Sequence, residues 1–161
     1  MSNVYETDAL VSQYCELHYG SEYFEIPLFP VSAVDKVIEL TDGAARGSAL
    51  DVGCAVGRSV FELAHDYEKV EGVDFSEAFI KTAEQMCFEG ELRWDNVDEG
   101  ELTIPAVARL EEIGLEDNRS KVSFAVEDAC ALSSNRTGYD LITAFNLLCR
   151  LPDPKPHASG P

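Results

Sequence analysis

The stretch "ALDVGCAVGRS", residues 49–59, sets a short apolar run against a series of tiny side chains. Gly53, Ala55 and Gly57 recur at alternate positions, and Asp51 stands two residues before the first of them. The run "SALDV" reads as a buried strand, and Val60, Phe61 and Ala64 suit a helix that follows it. Small residues in the turn between permit positive φ and let a ligand approach the backbone closely. A strand, a glycine turn and a helix in that order form the place where doubly wound α/β folds bind nucleotides.

The same alternation continues outward from the turn. "KVEGVDF" (69–75) supplies a second strand, and Ser76 is a good cap for a helix burying Phe79, Ile80, Ala83, Met86 and Cys87. "KVSFAVEDA" (121–129) and "YDLITAFNLL" (139–148) begin a third and a fourth strand. Between them, "ELRWDNVDEGELT" (91–103) is polar and acidic without a clear period, and a helix is expected near Pro105 to Ile113, stopped by Gly114. Upstream, Leu10, Val11, Tyr14, Leu17 and His18 share one helical face between Thr7 or Asp8 and Gly20. A loop with Pro27 and Pro30 then leads to a short helix marked by Val34, Val37, Ile38 and Thr41 and closed by Gly43.

The expected architecture is therefore α/β, a Rossmann-like doubly wound parallel sheet with helices on both faces. A helical cap occupies residues 1–47, the sheet domain 48–151, and a proline-rich tail 152–161. The chain is expected to be truncated at its C-terminal end after about four strands, leaving the fourth as an open apolar edge through which copies can associate.

With 161 residues the chain has the length of one domain, and 45% hydrophobic with 26% charged residues is a globular balance. A formal charge of −18 repels phosphate backbones and anionic lipid, so the expected partner is a small molecule rather than nucleic acid or a membrane. Cys15, Cys54, Cys87, Cys130 and Cys149 are dispersed, with no pair spaced like a zinc site or a redox dithiol. The opening "MSNVYETD" lacks the basic start and apolar core of a signal peptide, and no apolar run reaches the roughly 20 residues of a membrane span. The chain reads as reduced and cytoplasmic. His18, His65 and His157 lie far apart, and no metal site is expected.

The choice of nucleotide turns on the loop's chemistry. A dinucleotide loop wants G-x-G-x-x-G, but here Ala55 takes the second glycine's place and Arg58 the third's. The carboxylate of Asp51 beside the loop suits an ammonium better than two phosphates. S-adenosyl-L-methionine carries an ammonium and a sulfonium and no phosphate, which makes it the expected cofactor over a nicotinamide dinucleotide. Asp51, Gly53 and Gly57, with Cys54 and Ala55 between them, are assigned to its methionine end. Asp74 ends the second strand about 20 residues beyond the loop, the offset at which an acid meets ribose hydroxyls. Asp128 with Ala129 is assigned to the adenine amino group and Phe75 to the ring. Asn146, after the fourth strand, is assigned to the methionine moiety or the acceptor, and Tyr14, His18 and Tyr19 are candidates to close over the substrate.

The segments "YETDALVSQYCELHYG" (5–20), "YFEIPLFP" (23–30), "ALDVGCAVGRSVFELA" (49–64), "VEGVDFSEAFI" (70–80), "DEGEL" (98–102), "EDAC" (127–130) and "GYDLITAFNLLCRL" (138–151) resemble the methyltransferase domain of ovothiol-biosynthesis proteins, assigned as 4-mercaptohistidine N1-methyltransferases. The glycine loop is common to most class I methyltransferases, whereas the opening and the "DEGEL" insertion are more family-specific. The resemblance implies a class I fold and methyl transfer from S-adenosyl-L-methionine to an imidazole nitrogen of a thiolated histidine. In such proteins the domain often follows an iron-dependent sulfoxide synthase region, which nothing in this chain matches. The readings that compete with it are a methyltransferase for another small molecule and a non-catalytic cofactor-binding or interaction protein.

Overall fold

The computed structural model describes residues 4–22, 24–97 and 102–151. The tail and residues 98–101 of the acidic insertion lie outside the described residues.

The N-terminal segment opens with a 3-10 turn, Val4–Glu6, and helix α1, Asp8–Tyr19. Thr7 caps α1 by accepting a hydrogen bond from the Leu10 amide, and the Gly20 amide closes its other end on the Glu16 carbonyl. Helix α2, Phe29–Leu40, begins earlier than its apolar positions suggest, and Pro30 lies in its first turn rather than in the preceding loop. A proline costs nothing there, because first-turn amides have no intrahelical acceptor.

Strand β1, Ser48–Val52, leads through the glycine turn into α3, Arg58–Leu63; β2, Lys69–Asp74, is followed by α4, Glu77–Glu89. After an insertion, β5, Val122–Val126, and β6, Leu141–Thr143, complete a four-stranded parallel sheet in the order β5-β2-β1-β6. The chain winds outward from β1 to β5 and then recrosses to β6 on the other side of β1. That reversal opens a crevice beyond the carboxyl ends of β1 and β6.

One face of the sheet packs Ala49 and Val70 against Val34 of α2 and Val60 and Leu63 of α3. The other face, formed by Leu50, Val52 and Val73, is covered by Ala129, Leu132 and Tyr139 of the β5–β6 connection. Helices were expected on both faces; among the described residues this crossover holds none. Ser133, Ser134, Asn135 and Gly138 favour turns, and Arg136 fixes the segment by bridging Glu71 and Glu127 at 2.6 Å each.

The insertion departs from the sequence expectation. Residues 91–97 form strand β3, Glu91–Val97, and the helix expected at 105–113 is instead strand β4, Thr103–Arg109, paired antiparallel with it. Leu92 and Trp94 on β3 and Ala108 on β4 face inward and are buried. That is the period of two of a strand, with Arg93 and Asp95 exposed on the outward face. Pro105 opposes Asp95 in a two-stranded sheet, where both strands are edges and a missing amide is tolerated. The hairpin supports α1: Nε1 of Trp94 and Nδ2 of Asn96 both donate to Oε2 of Glu16.

Gly57 sits at φ +89°, and a Cβ there would lie 2.8 Å from Phe124 Cε1 and 3.0 Å from Ala83 Cβ. The Gly57→Ala substitution therefore meets both a left-handed backbone and a filled neighbourhood. The backbone term alone is roughly 1–3 kcal/mol, so urea unfolding is expected to show at least that loss; an unchanged midpoint would show that the turn relaxes.

Candidate active site

Three alternate residues of the turn, Gly53, Ala55 and Gly57, have positive φ values of 79°, 48° and 89°. This explains their spacing: each left-handed residue redirects the chain, and only the smallest side chains do so cheaply. The turn is tied to the end of β2. The amides of Gly53 and Cys54 donate to the Val73 carbonyl at 2.8 and 3.0 Å, and the Ala55 amide donates to Oδ2 of Asp74 at 2.9 Å. Three successive amides that would cradle a phosphate are thereby already bonded.

Beyond the strand ends lies a cavity of about 450 Å³, within the usual range of ligand sites. Asp51, Gly53, Cys54, Ala55, Asp74 and Phe75 line it from the first two strands and their turns. Asp128, Ala129 and Asn146 reach it from the later strands, and Tyr14 and His18 from α1. Two of the sequence candidates lie off the lining. Gly57 packs against α4 and β5, and Tyr19 is buried behind the turn, its hydroxyl donating to the Val56 carbonyl at 2.9 Å. Tyr19 thus braces the loop from below, whereas the sequence reading makes it a candidate to close over the substrate.

Asp51 is 1% exposed and accepts hydrogen bonds from the hydroxyls of Ser59 and Thr143, the latter at 2.7 Å. Burial raises its carboxyl to a pKa of about 6, against the lowering effect of the two hydroxyls. Asp74 is also raised by burial, opposed by backbone amides that include those of Ser76 and Ala55. Oδ1 of Asp128 accepts from the Cys130 amide at 2.8 Å in a tight turn. None of these three aspartates has an ion-pair partner among the described residues. Phe75 is 62% exposed, so its ring forms part of the cavity's wall rather than of the core. Cys54 is buried, and desolvation pushes its thiol well above the ordinary value, which leaves it unreactive.

Sequence reasoning missed several lining residues. Ser59 carries a readable signal, a hydroxyl in the first turn of the helix that follows the glycine loop. Glu127 borders the cavity with its charge already met by Arg136. Tyr5 and Arg150 also line it, and Nη1 of Arg150 donates to the Tyr5 hydroxyl at 3.1 Å across 145 positions, a pairing only the fold reveals. Leu147 overhangs Gly53, whose Cβ would fall 2.9 Å from Leu147 Cδ1. Among the described residues no group of His, Cys, Asp and Glu converges as a metal site, and no helix is long and apolar enough to cross a membrane.

Residues 50–159 match the sequence profile of a family described as a methyltransferase domain. The chain belongs to that family. The methyltransferase domain is also similar in fold to solved structures. A protein of Methanococcus maripaludis assigned as an S-adenosyl-L-methionine-dependent methyltransferase aligns with a TM-score of 0.62 at 15% identity, over 95% of this chain and 56% of its own length. The magnesium protoporphyrin IX methyltransferase of Synechocystis, solved with S-adenosylmethionine bound, aligns at 0.53 and 19% identity over 87% of this chain and 57% of its own. The methyltransferase domain thus spans little more than half the length of either structure. No curated protein matches its sequence.

The buried Asp51 yields a pH prediction with a definite sign. Its folded pKa of about 6 lies above the ordinary 3.8, so its favourable contribution is complete below about pH 4 and lost as pH rises through 6. Replacing Asp51 by Asn removes that penalty. The variant is expected to exceed wild type in stability at pH 7.5 by about 3 kcal/mol, with the gap closing toward pH 4. Urea unfolding at the two pH values checks it; a gap that does not depend on pH would contradict the assignment.

Proposed function

We propose that the domain binds S-adenosyl-L-methionine in this cavity and methylates an imidazole nitrogen of a thiolated histidine. The observation that carries the cofactor reading is the set of three aspartates without cationic partners at successive strand ends, around a turn whose amides are already bonded. Such a site attracts positive charge and offers a phosphate little. In this reading Asp51, with Gly53, receives the ammonium of the methionine end, Asp74 the ribose hydroxyls, and Asp128, Ala129 and the face of Phe75 the adenine. Asn146 stands where donor and acceptor meet. When bound, the cofactor supplies an activated methyl group on a sulfonium.

The protein's task is then chiefly alignment. Bringing two reactants into a near-attack geometry contributes up to roughly 7–11 kcal/mol in ideal cases. A neutral imidazole is already nucleophilic near pH 7, so no strong base has to be supplied for the attack. The wall formed by Tyr14, Leu17, Phe29 and Pro30 faces the cavity from α1 and α2 and suits a flat ring. The acceptor's identity rests on the sequence resemblance, which includes "YETDALVSQYCELHYG" and "YFEIPLFP", the segments that supply the residues of this wall.

The test is transfer of a labelled methyl group from S-adenosyl-L-methionine to 4-mercaptohistidine. The expected products are an N-methylated thiolhistidine and S-adenosylhomocysteine in equal amounts. Methylation of another small molecule in preference to this one would overturn the acceptor alone. Cofactor binding without transfer to any acceptor would favour a non-catalytic binding protein. Binding of a reduced nicotinamide dinucleotide instead would overturn the cofactor.

A further inference from the structure

His18 lines the cavity from α1, yet its Nδ1 is buried without a hydrogen-bond partner among the described residues. The imidazole also makes no ion pair there, and its nearest ring neighbours are Tyr14 and Tyr19, at 6.0 and 6.3 Å between centroids. A neutral imidazole must carry one N–H. Placed on Nδ1, that proton would be sealed away from any acceptor, an unsatisfied buried donor that the fold has no reason to keep. Placed on Nε2, the ring nitrogen outside the buried unpartnered set, it is available to whatever fills the cavity.

Several other donors near this corner are engaged; the Tyr14 hydroxyl, Asn146 and Arg150 also line the cavity, but among the described residues only His18 carries a buried side-chain nitrogen left without a partner. The hydroxyl of Ser59 is spent on Asp51 and that of Tyr19 on the Val56 carbonyl. Arg58, at 8% exposure, gives Nε to Glu62 at 2.7 Å and Nη1 to the His18 carbonyl at 3.2 Å. The amides of Gly53, Cys54 and Ala55 serve β2. A cavity equipped with carboxylates for the cationic parts of an amino acid still needs a donor for its carboxylate.

We infer that His18 is that donor, its Nε2–H recognising the carboxylate of an amino-acid group bound in the cavity. This rests on the function proposed above, in which both cofactor and acceptor bear such a group. Burial, with the Arg58 guanidinium beside the ring, lowers the imidazole to a pKa of about 3. In the empty cavity it is therefore a neutral donor at working pH, and a carboxylate brought against it shifts it back toward its ordinary value.

Calorimetry on wild type and His18→Phe separates the two sources of the carboxylate. The probes are S-adenosylhomocysteine and 5′-methylthioadenosine, which lacks the amino-acid end. If His18 meets the cofactor, the variant loses about tenfold in affinity for the first and stays within about twofold for the second. If it meets the acceptor, both are kept, and 4-mercaptohistidine binds about tenfold more weakly to the S-adenosylhomocysteine-loaded variant. His18→Gln, which keeps an N–H, is expected to restore part of either loss. The apo melting midpoint should hold in the Phe variant, since carbon replaces an unpartnered buried nitrogen; if that variant does not fold, the Gln variant and wild type carry the comparison against 5′-methylthioadenosine. Unchanged binding of all three probes, or an equal loss for S-adenosylhomocysteine and 5′-methylthioadenosine, would overturn the assignment while leaving the proposed function standing. A wild-type protein that binds none of them would sink both.

Discussion

The end of β2 holds the glycine turn in place, and the rest of the site depends on that junction. The Val73 carbonyl accepts two turn amides, and the Asp74 carboxylate spans the Ala55 amide on one side and the Ser76 amide on the other. One side chain thus joins the loop after β1 to the start of α4. Ala55 is kept at φ 48°, a conformation that costs a non-glycine residue of order 1–3 kcal/mol, because these bonds over-determine it. The N-terminal turn is fastened to the same place. Glu6 accepts from the Glu77 and Ala78 amides at 3.0 Å each, and the Ser76 hydroxyl donates to the Tyr5 carbonyl. A carboxylate there also matches the positive end of α4.

The electrostatic character of the cavity follows. Once the turn amides are bonded internally, what the strand ends still offer is negative charge. Asp51 is the most consequential case, since it is buried with only two neutral hydroxyls for company. Left ionised it destabilises the fold, and a cation brought beside it relieves that cost. Glu127 lies on the same rim but is paired to Arg136, and so contributes to the architecture of the β5–β6 crossover more than to the field in the crevice. The apolar wall from α1 and α2 completes the enclosure, and the hairpin β3–β4 sets its position through Trp94, Asn96 and Glu16.

The sequence made the sheet legible because β1 and β2 are largely buried and apolar and end in a small-residue turn and an acid. "ALDVGCAVGRS", with its alternate small residues, carried the most information, and the structure assigns that alternation to three left-handed residues. What stayed hidden has physical causes. The hairpin's apolar–polar alternation is short, running from Leu92 to Asp95 before the polar Asn96, and Pro105 argues against a strand unless that strand is an edge. Gly57 and Tyr19 look like ligand contacts in sequence, since the chain cannot say whether a small or aromatic residue faces a cavity or the body of the protein. Phe75 is the converse: the sequence assigns it to the cofactor's ring, and its largely exposed side chain lies on the cavity wall. Tyr5 and Arg150, far apart in sequence and joined across the cavity, could be found only from the fold.

A crystal structure of the chain grown with S-adenosylhomocysteine tests the central claim most directly. The account predicts ligand density in this cavity, with the ribose hydroxyls on Asp74, the adenine against Phe75 and the amino group beside Asp51. A ligand bound elsewhere, or one whose amino-acid end points away from Asp51, would contradict it.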